Sequence, residues 1–87
     1  MNNECLPLSD LATGHIGVVV QLTGGRGFVC RLAALGFTPG VQVTMVQNLG
    51  HGPVIVMVRD TRVALGRGEA NKVLVRPQGD SKDGATG

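Results

Sequence analysis

The side chains able to do chemistry are few and scattered. Potential metal ligands are Cys5, His15, Cys30 and His51, and the nearby carboxylates are Asp10, Asp60 and Glu69. Structural zinc sites show short local ligand spacings, and none of these residues has one. His51 stands between Gly50 and Gly52 and reads as a solvated loop histidine, able at most to ligate a metal at a protein contact. His15, beside Gly14 at the start of a strand, reads as a surface or satisfied histidine. No metal site and no cofactor is therefore assigned. The carboxylates lie far apart in turn-like segments, so an acid/base pair would need a tertiary coincidence. The glycines at 24, 25 and 27 lack the Lys and Ser/Thr of a phosphate loop, and no GxSxG is present. With few acids and no Tyr or Trp, the chain reads as a non-enzyme with no catalytic residue. Cys5 and Cys30 form no CxxC pair, and Cys30, on a helix, reads as a structural thiol.

The formal charge is +2, but it is unevenly placed. From Gly14 to Arg76 the basic residues are Arg26, Arg31, Arg59, Arg62, Arg67, Lys72 and Arg76, opposed by Asp60 and Glu69, a local excess of +5. Such a bias suits an acidic protein surface, a membrane-proximal position or nucleic acid. Surfaces that bind single-stranded nucleic acid carry exposed aromatics for stacking. Phe28 and Phe37, the only aromatics, both sit where core packing explains them. Nucleic acid is thus not the expected partner, though a small basic barrel that binds it is the alternative.

The elements that must position these residues are organised around Arg31 to Gly40. Phe28, Leu32 and Leu35 fall at i, i+4 and i+7, one face of a helix from about Gly27 to Leu35. Gly36 stands where a left-handed residue ends a helix, with Phe37 placed to pack back on Leu32. Pro39-Gly40 is a turn pair, and a strand, Val41 to Gln47, follows at once.

Before this helix, Pro7 to Gly14 reads as a single helical turn capped by Ser9, with Leu8 and Leu11 facing the core. The first strand, His15 to Leu22, puts Ile16, Val18, Val20 and Leu22 on one face. After the loop Asn48 to Pro53 come strands Val54 to Arg59, Arg62 to Gly66 and Lys72 to Arg76. Asp60-Thr61 joins the first two, and a corner at Arg67 to Asn71 precedes the last. Residues 1–76 form one domain. Pro77 to Gly87 has too little apolar surface to offset chain entropy and is expected to be a disordered tail.

The expected fold is mainly β: a small, strongly bent antiparallel barrel of about five strands with an inserted short helix and a one-turn N-terminal helix. Closure would protect most edges. A two-layer sheet with the helix on one face is the runner-up. No signal peptide or run of transmembrane length is visible, so the cytoplasm is the expected location.

Residues that the core does not need point to protein contact. Opposite the core face, the helix offers Gly27, Arg31 and Ala34, whose small size around one arginine allows close approach. The loop adds Leu49, His51 and Pro53. These six residues are the candidate partner-binding set, while Phe28, Leu32, Leu35, Gly36, Phe37, Pro39 and Gly40 are structural.

The chain resembles the FeoA family, the small cytosolic component of bacterial ferrous iron transport. The likeness rests on Leu8-Ser-Asp-Leu11 with Gly14, then Ile16 and Val18, and above all on Arg31-Leu-Ala-Ala-Leu-Gly-Phe-Thr-Pro-Gly40. It continues through Val41, Val43, Gly52-Pro53, Val63-Ala-Leu65, Glu69-Ala70, Val73 and Val75. The resemblance implies an SH3-like barrel with a helical insertion. It also implies an accessory or regulatory subunit that contacts the cytosolic domain of a GTPase-containing ferrous iron transporter. Such a subunit would be peripheral to the membrane rather than inserted, with a homo-oligomer left open. A similar module ends iron- and manganese-dependent repressors, so a stand-alone repressor-type regulator is a further alternative. The sequence departs from the family at Asp60-Thr61, where glycine is frequent, and at Gly66 and Gly68 flanking Arg67.

Overall fold

The computed structural model describes residues 4–80, with the side chains of 79 and 80 left aside. Six strands form one antiparallel sheet. They are β1 (Leu6–Pro7), β2 (His15–Leu22), β3 (Gln42–Gln47), β4 (Val54–Val58), β5 (Thr61–Leu65) and β6 (Val73–Asp80). A 3₁₀ turn, Leu8–Asp10, follows β1; α1 (Arg26–Ala34) lies between β2 and β3, and α2 (Arg67–Ala70) between β5 and β6. Their order across the sheet is β1-β6-β2-β3-β4-β5. The mainly β class is as expected, but β5 and β1 are the two sheet edges and do not pair with each other. Among the described residues the expected closure is therefore absent, and the sheet has six strands instead of about five.

The core is aliphatic apart from one ring. Leu8, Leu11, Val19, Leu32, Phe37, Val43, Met45, Val54, Val56, Val58, Leu65, Ala70, Val73 and Val75 are buried together. β4 alternates buried Val54, Val56 and Val58 with half-buried Ile55 and Met57, so both faces of this uniformly apolar strand are partly covered. Leu8 and Leu11 reach the core from the N-terminal turn.

The helix stop forms as the residues dictate. Gly36 has φ +105°. The Phe37 N–H donates to Leu32 O and the Gly36 N–H to Ala33 O, both at 3.0 Å, the bond pair of a Schellman motif. Gly40 has φ +94° and the Val41 N–H donates to Thr38 O, a type II turn with proline at its first central position.

Five expectations need correcting. Leu35 is 42% exposed, because α1 ends at Ala34 and the reversal at Gly36 sends Phe37 into the core in its place. Cys30 is exposed and free rather than a core thiol. Ser9 caps nothing; it is buried, and its hydroxyl donates to Asn71 Oδ1 at 2.7 Å. The β4–β5 turn is Arg59-Asp60, with Val58 paired on Thr61, instead of Asp60-Thr61. β6 continues to Asp80 and pairs along β2, so extended structure passes Arg76, where a tail was expected; residues 81–87 lie outside the described region.

The inward face of β2 is also the opposite of that expected. Gly17 and Val19 are buried, whereas Ile16, Val18 and Val20 are half-exposed. The register advances from Val19↔Val75 to Gln21↔Leu74, which leaves Val20 as an extra residue. This bulge reverses the alternation, so Leu22 packs on the core after it. A Cβ on Gly17 would stand 3.2 Å from the Val75 side chain, so a larger residue there would push on Val75, and glycine eases this approach of β2 and β6.

Candidate interaction surface

The six candidate contact residues are all exposed. Gly27, Arg31 and Ala34 share the outer side of α1, and Leu49, His51 and Pro53 belong to the β3–β4 loop. A Cβ added at Gly27 would meet nothing within 4 Å, so the helix leaves open space there. Leu49 is 65% exposed.

Asn48 pins the start of the loop. Its Nδ2 donates to the carbonyls of Ser9 at 2.9 Å and Leu11 at 2.8 Å. Its N–H donates to Thr13 Oγ1, and the Thr13 hydroxyl donates back to Asn48 O. Asn48 Oδ1 accepts from the Gly50 N–H at 3.0 Å and from Arg67 Nη2 at 2.7 Å. Arg67 also donates from Nε to Gly52 O at 3.0 Å and from Nη1 to Ser9 O at 3.1 Å. One planar guanidinium fork thus ties the loop to the N-terminal turn.

Two residues further along α2, Glu69 reaches the other way. Its Oε2 accepts from Arg31 on α1, forming an ion pair, and its Oε1 accepts the Gly66 N–H at 3.2 Å. The hydrogen bond from Arg31, and then that from Gly66, hold the Glu69 carboxyl below its ordinary range. Arg31 is thereby tied to α2. The four-residue α2 braces the loop through Arg67 and α1 through Glu69, and so sets the two candidate groups relative to one scaffold. Sequence reasoning treated Arg67 to Asn71 only as a corner. A signal was available in Arg67 and Glu69, two charged residues of opposite sign set between tight turns.

Both phenylalanines are accounted for by packing. Phe37 is fully buried, and half-buried Phe28 carries Lys72 Nζ at 5.3 Å from its ring centroid, a cation–π contact. Among the described residues no three His, Cys, Asp or Glu side chains converge as a metal cluster. A surface depression of about 280 Å³, lined by Glu4, Leu6, Arg76 and Pro77, brings none of the candidate residues together. No helix among the described residues is long and apolar enough to cross a membrane.

The FeoA domain model matches residues 6–77. The chain belongs to the FeoA domain family. It is 32% identical over 69 residues to a Methanocaldococcus jannaschii protein provisionally named Fe(2+) transport protein A, covering 79% of this chain and 83% of that one. A crystal structure of an iron uptake regulatory protein (FeoA) is 35% identical with a TM-score of 0.81, covering 86% of this chain and all of the other. A zinc complex of Stenotrophomonas maltophilia FeoA, described as an SH3 domain protein and suggested to be a ferrous iron transport activating factor, is 36% identical. Its TM-score is 0.70, over 78% of this chain and 86% of that one. In fold alone, a manganese-dependent transcriptional repressor is also similar, at 16% identity and a TM-score of 0.79, over 90% of this chain and 44% of the repressor. The fold is thus SH3-like, and the family places the chain in ferrous iron transport.

Proposed function

We propose that this chain is a non-enzymatic accessory subunit of ferrous iron uptake, working in the cytoplasm by contact with the cytosolic part of a GTPase-containing iron permease. Iron is the cargo of that partner. The observation that supports this reading is the bracing by α2. Arg67 fixes the loop bearing Leu49, His51 and Pro53, and Glu69 fixes the helix bearing Gly27 and Ala34. A docking surface held in advance loses less entropy on binding. Small residues on α1 admit close approach, and Leu49 offers an apolar anchor on a tethered loop.

The test is co-purification from membranes with and without guanine nucleotide. The expected result is recovery of the iron permease with the parent chain and its loss with Ala34→Glu, which changes an exposed helix position and leaves the fold intact. Failure of the parent chain to recover an iron transporter would overturn the reading, and normal iron uptake with Ala34→Glu would remove α1 from the docking surface.

A further inference from the structure

The sheet is open at β5, and the pairing register shows which groups that edge offers. β4 and β5 are joined by the two-residue turn Arg59-Asp60, with φ of +50° and +66°, and the closing pair is Val58↔Thr61. In such a hairpin the closing pair exchanges both main-chain bonds, and every second pair thereafter does the same. Thr61, Val63 and Leu65 therefore bond inward to β4. Arg62 and Ala64, opposite Met57 and Ile55, turn their N–H and C=O groups outward. Among the described residues β5 has no second neighbour, and no other main-chain bond engages Arg62 or Ala64.

The edge is also selective in its side chains. Val63 and Leu65 point to the core side, half-buried and buried, while Arg62 and Ala64 are exposed on the other face. Arg62 is not in the ion pair found among the described residues, which joins Arg31 and Glu69. Ala64 beside it leaves room for a neighbour's side chain. The local charge excess from Gly14 to Arg76 disfavours a second copy and favours an acidic occupant.

We propose that the outer edge of β5 accepts an extended, acidic segment of a partner protein as an added strand. The main-chain groups of Arg62 and Ala64 bond it, and a carboxylate of the segment faces Arg62. This rests on the docking reading above and names the chemistry of the segment that docks. Proline at 64 is the discriminating change. It removes an outward N–H and leaves the ladder to β4 intact, which is why edge strands tolerate it.

The experiment titrates the full ¹⁵N-labelled chain with a blocked peptide alternating glutamate and valine. The expected result is saturable shifts and slowed exchange at the Arg62 and Ala64 amides, with the inward Val63 amide little changed. Ala64→Pro should weaken binding roughly threefold to tenfold, the equivalent of one lost hydrogen bond, and Arg62→Glu should weaken it by a similar factor. Absence of saturable shifts at β5, equal binding of the lysine–valine counterpart, or unaltered binding by Ala64→Pro would overturn the proposal. So would protection of both amides that rises with protein concentration alone, which would mark a second copy as the occupant. The membrane co-purification separates the two readings. Permease recovery by Ala64→Pro equal to that of the parent chain rejects the edge and spares the accessory function. Failure of the parent chain itself rejects the accessory function, and the peptide titration then decides the edge independently.

Discussion

Arg31 of α1 is ion-paired with Glu69 of α2, thirty-eight residues along the chain. The pair joins the inserted helix to the short helix that also grips the β3–β4 loop. Both side chains keep contact with solvent, at 55% and 36% exposure, so the pair serves position more than stability. Its signature should appear in acid. The folded carboxyl is held below its ordinary range, first by the Arg31 hydrogen bond. Its contribution is therefore complete above the pKa of the unfolded carboxyl and is lost as the pH falls through the lower folded value. Denaturant midpoints measured down through this window should fall less steeply for Arg31→Ala than for the parent chain, and added salt should narrow the difference. Parallel acid limbs would show that the pair does not contribute.

Leu32 and Leu35 were expected on one helical face and differ completely in burial. Leu32→Ala should cost about 2–5 kcal/mol through the cavity it leaves. Leu35→Ala should stay within about 0.5 kcal/mol, as surface changes do. Urea unfolding of both variants checks the contrast; equal losses would place Leu35 in the core after all.

Asn48 uses both amide donors and its carbonyl oxygen in cross-links. Asn48→Ala should destabilise the domain by about 1–3 kcal/mol, since it strands the Leu11 carbonyl and one arm of Arg67 and leaves the Ser9 carbonyl to Arg67 alone. Hydrogen exchange should locate the loosening at residues 8–13 and 48–52. A midpoint equal to that of the parent chain would rule out this role.

Arg59 and Asp60 both occupy left-handed backbone, the geometry of a type I′ hairpin that Asn-Gly adopts with least strain. Asp60→Gly should therefore raise stability by about 0.5–1 kcal/mol despite glycine's greater freedom in the unfolded chain. Thermal unfolding checks the sign, and a lower midpoint would mean that the Asp60 side chain holds the turn.

Local conformational demands were legible in the sequence. Gly36, Phe37, Pro39 and Gly40 specify the helix stop and the turn because each meets a backbone requirement that depends on neighbours a few residues away. The uniformly apolar Val54 to Val58 specified a strand for a similar reason. Family membership followed from the same segment of the chain. The phase of β2 was not legible, because the bulge at Val20 exists only in register with β6, and one extra residue reverses every side chain beyond it. Nor were the exposure of Leu35, the Asn48–Arg67 cross-links, the pairing of Arg31 with Glu69 or the open edge at β5. Residue types and spacing determined where the inserted helix stops and where the chain turns at Pro39-Gly40. Which face looks inward, and which distant charges meet, was settled by the tertiary structure, because strand register and helix docking are set by contacts between segments far apart in the chain.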